Sequence, residues 1–184
     1  YNPENNLVLS SQTNSDMVAF TNNRDGYLQI TSGEQIDVAL DNVDFGNEVT
    51  VSFWAQGNAE VLPLNTYLFE GFDTDGARRI NCHFPWSNNR IYWDAGMGAG
   101  SGSRIDKAIV DGEITDEWTH WAFAKNATTG VMNIFKNGQL WHTGTGKFDP
   151  ISTVSILRIA QNSLWDGKLD EFRVWKKSLE QENI

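Results

Sequence analysis

The carboxylates, indoles and imidazoles of this 184-residue chain are the groups whose types and spacing could do chemistry. Two carboxyls on one strand face could cleave a glycoside, but a retaining enzyme needs them ~5–5.5 Å apart. The nearest cluster is Asp166, Asp170 and Glu171, and along a strand Asp170 and Glu171 point to opposite faces. His83, His120 and His142 lack the H-E-x-x-H spacing of a zinc site, and no Gly-x-Ser-x-Gly elbow occurs. The glycine-rich run 96–102 has neither the spacing nor the following helix of a dinucleotide fingerprint. Catalysis is therefore not expected.

Binding chemistry is better represented. There are eight tryptophans against four tyrosines. Trp54, Trp118, Trp121 and Trp175 lie in apolar strand-like runs and read as core. Trp86, Trp93 and Trp165, with Asn162 beside the last, read as ligand-binding. An indole stacks on a pyranose face, and a neighbouring amide or carboxylate meets the hydroxyls in its plane. The competing reading is that these rings cap the ends of a sandwich. Alternation over 169–175 puts Asp170 with Phe172 and Val174, and Glu171 with Leu169 on the other side. A carboxylate on an apolar face needs an arginine or a metal ion, because burying a lone charge is costly. Asp73-x-Asp75-Gly76 opens like a calcium loop but lacks its distal glutamate, so it reads as a turn.

Short alternating segments must position these groups. Val49, Val51, Phe53 and Ala55 alternate with Thr50 and Ser52, and Trp121 and Phe123 flank Ala122. Asn137-Gly138 between two such runs predicts a hairpin, since a type I′ turn needs positive φ twice. The strands expected are 7–10, 17–20, 26–31, 48–56, 67–70, 78–84, 90–94, 104–110, 117–125, 130–136, 139–143, 154–160 and 167–175. Cys82 alternates with Ile80 and Phe84 and reads as a buried small hydrophobe. Ser178-Leu-Glu-Gln has the form of a helix capping box. The pattern predicts an all-β, two-sheet antiparallel β-sandwich.

EWTHWAFAKNATTGVMNIFKNG at 117–138 and GKLDEFRVWKKSLEQENI at 167–184 resemble the laminin-G-like jelly-roll family of the concanavalin A-like lectin/glucanase superfamily. Residues 26–30 and 49–54 resemble its early strands, and PWSNNRIYWDAG at 85–96 is similar to a subgroup in surface and adhesin-like proteins of marine bacteria and their phages. The resemblance implies a jelly roll closed by a short helix. It also implies a calcium ion tying an early loop to the closing strand, which points to Asp25 and Asp170; Asp25 could equally serve only the Asp-Gly turn. The Glu-x-Asp-x-x-Glu pattern of the glucanase relatives is absent.

A net charge of −10 repels phosphate backbones, and no apolar run approaches the ~18 residues of a membrane helix. Nucleic acid and membrane insertion are therefore not expected. The expectation is one domain over 1–184, excised from a larger exported or cell-surface bacterial protein. It binds a glycan without catalysis, with calcium as cofactor, and the alternative is an adhesion or protein-interaction spacer without a sugar site.

Overall fold

The computed structural model describes residues 26–31, 34–97, 102–160 and 164–184, with the backbone alone of 17–20. Asp25, Asn162 and the expected strand 7–10 lie outside the described residues.

The strands are β1 (Met17–Phe20), β2 (Leu28–Ile30), β3 (Ile36–Asp44), β4 (Glu48–Gly57), β5 (Phe69–Phe72), β6 (Arg78–Trp86) and β7 (Arg90–Ala95). They continue with β8 (Arg104–Ala108), β9 (Thr119–Asn126), β10 (Val131–Lys136), β11 (Gln139–Gly144), β12 (Thr153–Ile159) and β13 (Gly167–Trp175). One sheet runs β1-β13-β4-β9-β10-β11, with β2 also paired to β13; the other runs β3-β12-β5-β6-β7-β8. Every pairing between the described strands is antiparallel. This is the predicted jelly-roll sandwich.

Alternation decides what lies between the sheets. From the seven-stranded sheet come Val49, Val51, Phe53, Trp121, Phe123, Ile134, Leu169, Phe172 and Val174; from the other come Phe69, Ile80, Cys82, Phe84, Ile91 and Trp93. Phe53 is the hub. Its ring stacks on Phe123 at 5.7 Å and on Phe172 at 5.6 Å, and meets Phe69 and Phe84 edge-on at 6.1 and 5.6 Å. The inward position after Phe123 is Lys125, which is fully buried at the end of the sandwich. Its Nζ donates to the carbonyls of Ala95 and Gly102, and burial lowers its pKa to about 8.

Three features depart from the sequence pattern. The strand β3 was not expected, because Asp37, Asp41, Asn42 and Asp44 make it look like a loop. Ile36, Val38 and Leu40 nonetheless keep strand period, and Val38 and Leu40 are buried. The closing helix is reduced to a single 3-10 turn, Gln181–Asn183, and the Ser178 capping box does not form. The Ser178 amide donates instead to Glu48 Oε2, and Thr50 Oγ1 donates to the Lys177 carbonyl and accepts from the Leu179 amide. The tail thereby lies on the outer face of the seven-stranded sheet, where Ile184 packs on Ala122, Ala124 and Phe135. The third departure is a bulge in β13. Asp170 faces Trp54 and Arg173 faces Ser52, so Glu171 and Phe172 together oppose Phe53, and Glu171 takes φ of +49°.

Phe53→Ala should cost about 3–5 kcal/mol of unfolding free energy in a urea titration, because it removes the ring that four others touch. A loss under about 1 kcal/mol would contradict its place at the centre of the core.

Candidate functional site

The bulge reassigns the residues of β13. Leu169 enters the core at 1% exposure, and Asp170 turns outward with Lys168. The expectation that Asp170 shares an apolar face with Phe172 and Val174 is therefore corrected: two residues opposite one reset the alternation between them. Asp170 is half-buried on the outer face, and its Oδ1 accepts the Glu171 amide proton at 2.7 Å. Desolvation nevertheless pushes its carboxyl above the ordinary aspartate value.

The same parity corrects Trp165. Trp165, Gly167 and Leu169 are spaced by two, and all three are buried. Trp165 is fully enclosed, so it does not present a face to a ligand. Gly167, at φ of +152°, admits no side chain, since a Cβ there would lie 2.5 Å from the Gln56 carbonyl and 2.8 Å from Gly57 Cα. Trp93 is corrected likewise. It falls in step with Ile91 and Ala95, is fully buried, and its Nε1 donates to the Ala124 carbonyl of the opposite sheet at 3.3 Å. Of the strand tryptophans expected in the core, only Trp121 is fully buried. Trp54 is 37% exposed, and its ring meets His120 at 5.3 Å on the outer face of the seven-stranded sheet. Trp118 and Trp175 are half-buried.

Trp86 is the described candidate whose ring reaches the surface. It ends β6, on the outer side of the six-stranded sheet. Its ring lies 4.4 Å from His83 and 5.9 Å from Tyr67, and His83 also meets Tyr67 at 4.7 Å and Tyr92 at 5.6 Å. Uncharged polar groups border the rings. Asn88 Nδ2 donates to the Tyr92 hydroxyl at 2.8 Å, and Ser87 Oγ donates to Asn65 Oδ1 at 2.6 Å. Asn65, Ser87, Asn88 and Asn89 are all exposed.

Beneath and beside the rings runs a row of side chains that crosses all six strands. Asp37, Arg158, Glu70, Asn81, Asp94 and Arg104 are successive register partners on β3, β12, β5, β6, β7 and β8. Arg158 grips Asp37 with two hydrogen bonds of 2.8 and 3.0 Å. Arg78 donates to Glu70 at 2.9 Å, and Arg104 holds both oxygens of Asp94. Asn81 Nδ2 adds a third donor to Asp94 at 2.9 Å and also faces His83 Nε2 at 3.1 Å. The Asn81 Oδ1 atom, fully buried, has no hydrogen-bond partner. Burial pushes the Glu70 carboxyl up against the pull of Arg78. Arg104 lies over the Tyr92 ring at 4.9 Å, and Arg78 over Tyr67 at 5.5 Å. Sequence reasoning missed this row, although the signal was present: Asn81 and His83 are the polar partners in the Ile80, Cys82, Phe84 alternation, as Tyr92 and Asp94 are for Ile91, Trp93 and Ala95.

His83 is fixed in its neutral form. Its Nδ1 lies 2.7 Å from the Thr66 carbonyl and so donates, which leaves Nε2 to accept from Asn81. Desolvation lowers its pKa, outweighing the Thr66 bond and Asp94, which raise it. Protonating Nε2 would turn two donors against each other. A histidine whose folded pKa is depressed stabilises the fold above the unfolded pKa of about 6.5, and that contribution is lost as pH falls through and below it. The His83 ring resonances should accordingly titrate with a midpoint below that of a free histidine. His83→Gln should lose less stability than the wild type between about pH 7 and pH 5. An ordinary histidine midpoint would contradict the neutral assignment.

Comparison with known proteins accords with this architecture. The family profile described as the concanavalin A-like lectin/glucanases superfamily, of laminin G type, matches residues 22–184. Curated protein sequences give no match. Among solved structures, the botulinum neurotoxin serotype D binding domain superposes with a TM-score of 0.68 at 14% identity, covering 98% of this chain and 49% of that one. A crystal structure of the serotype D ligand binding domain in complex with N-acetylneuraminic acid gives 0.66 at 14%, with 98% and 49% covered. The binding domain of Paraclostridial Mosquitocidal Protein 1 gives 0.65 at 17%, with 97% and 46% covered. The chain thus spans about half the length of these structures. By the profile and by the sandwich it folds into, the chain belongs to the laminin G group of the concanavalin A-like lectin/glucanases superfamily.

Proposed function

We propose that this domain is a noncatalytic glycan-binding module of an exported or cell-surface protein, and that it holds its ligand on the outer face of the six-stranded sheet. The observation that carries the reading is Trp86, a surface indole grouped with Tyr67 and Tyr92 and bordered by exposed amides and a hydroxyl. Rings supply the apolar contact for a pyranose, and Asn65, Ser87 and Asn88 supply donors and acceptors at their edge. A relative of the same fold is known with N-acetylneuraminic acid bound, which supports a sugar as ligand class. Asp37, Glu70 and Asp94, the carboxylates of the row, are tied to arginines, and a nucleophile or general acid drawn from them would have to be free. Affinity electrophoresis in gels containing soluble polysaccharides tests the reading. The wild type should be retarded by at least one polysaccharide, and Trp86→Ala should weaken that retention about tenfold or more. Retention unchanged in Trp86→Ala would move the site elsewhere, and no retention on any polysaccharide would favour the adhesion spacer.

Calcium is the cofactor we propose for the closing strand, with Asp170 and Asp25 as side-chain ligands. Among the described residues, no three acidic, histidine or cysteine side chains cluster as a metal site. Asp170 still suits one. Its carboxyl is raised by desolvation, and a cation would relieve that. β1 ends opposite Arg173 and β2 begins opposite Leu169, which brackets Asp170 between the two early strands. The remaining oxygens of the ~6–8 that calcium takes would come from backbone carbonyls or water. Adding calcium should raise the melting temperature, EDTA should reverse the rise, and Asp170→Asn should abolish it. Equal melting with and without the ion would sink the proposal.

A further inference from the structure

We propose that the glycan held at Trp86 is neutral, and that Asp106 enforces this by occupying the one arginine placed across from the indole. The inference rests on the glycan reading of this face. Trp86 and Arg90 are register partners on β6 and β7. Ile91 is buried in the core, so Arg90 projects outward, as Tyr92 does. A guanidinium in that position, left free, would receive the carboxylate of a sialic or uronic acid in a two-pronged hydrogen bond. Its charge is matched instead, because Arg90 Nε donates to Asp106 Oδ2 across the β7–β8 pair.

The other arginines of the sheet are committed as well. Arg78 holds Glu70, Arg79 holds Asp73, Arg104 holds Asp94 and Arg158 holds Asp37. Each cation on the face is thus matched by an anion, while Asn65, Ser87, Asn88 and Asn89 around the indole carry no charge. The chain as a whole carries −10, which repels a polyanion before contact. The face can recognise hydroxyls and ring faces, and among the described residues each of its arginines has an acidic partner. Asp106 is therefore a specificity-determining residue, and the Arg90–Asp106 pair is exposed enough (38% and 32%) to sit within reach of the ligand.

The experiment is affinity electrophoresis against neutral polysaccharides (a β-glucan, a mannan, a xylan) and acidic ones (polysialic acid, alginate, chondroitin sulfate), each at low and high salt. The wild type should be retarded by a neutral polysaccharide equally at both salt levels, and by no acidic one. Asp106→Asn, which frees Arg90 and keeps the shape, should gain about tenfold in retention by an acidic polysaccharide, and high salt should abolish the gain. Asp106→Glu, which keeps the charge, should not gain it. Thermal unfolding of both variants confirms that they fold. Salt-sensitive retention of the wild type on acidic polysaccharide would overturn the inference while leaving glycan binding intact, as would an Asp106→Asn variant that gains nothing. Absence of retention on every polysaccharide would overturn the glycan reading itself.

Discussion

Two sheets that share one aromatic core leave each strand residue a choice of two directions. Phe53 and the four rings around it fill the space between the sheets, so the parity of β4, β9 and β13 is set by which residues can reach that space. Most of the site then stands on the complementary parity, and Trp86, which has the parity of Phe84, joins it because β6 shifts register between His83 and Trp86. Because Ile80, Cys82 and Phe84 must face inward, Asn81 and His83 must face outward, and because Ile91 and Trp93 face inward, so must Arg90, Tyr92 and Asp94 face the other way. The candidate site is in this sense the negative of the core.

That dependence explains what could be read in the sequence and what could not. The sheet-forming runs, the Asn137-Gly138 turn with φ of +50° and +74°, and the buried thiol of Cys82 all follow from local patterns, and local patterns are visible. Asp73 is a turn former as expected, accepting the amides of Asp75 and Ala77. A bulge is a different matter, because it is a relation between two strands. With Glu171 counted as an ordinary strand residue, Asp170 falls on the wrong face. The parity that would have placed Trp165 beside Gly167 and Leu169 in the core is lost with it. Trp54 misled for a related reason: it sits among apolar neighbours, yet its own parity points to solvent. The strand β3 was hidden by its acidic outer positions, whose role appears only when Arg158 is found opposite Asp37. The site residues were thus present as types and missing as a constellation.

The outer face of the six-stranded sheet bears many charges and still behaves as a nearly neutral surface. Glu70 and Asp94 are almost wholly buried, at 2% and 4% exposure, a position that unpaired carboxylates would not tolerate. Arginine suits the task better than lysine would, since its planar fork satisfies both oxygens of Asp94 while its carbon centre stays over the Tyr92 ring. Aromatic rings and ion pairs therefore share one layer, each shielding the other from water. Lys125 shows a different arrangement between the sheets, where a cation donates to two carbonyl oxygens and burial, outweighing the pull of Asp149, takes part of its affinity for a proton.

The ordered row from Asp37 to Arg104 also has a meaning for how the sheet assembles. A strand that slips by one residue turns its core side outward, and the hydrophobic pattern alone rejects that error. A slip by two residues keeps inside and outside intact, so the hydrophobic pattern alone does not reject it. The row is not indifferent. Moving β7 two places along β6 would set Asn81 opposite Tyr92 and leave Asp94 without its amide donor, and the same shift of β12 would part Arg158 from both Asp37 and Glu70. The alternation of charge across the six strands thus works as a key that favours one alignment of neighbouring strands.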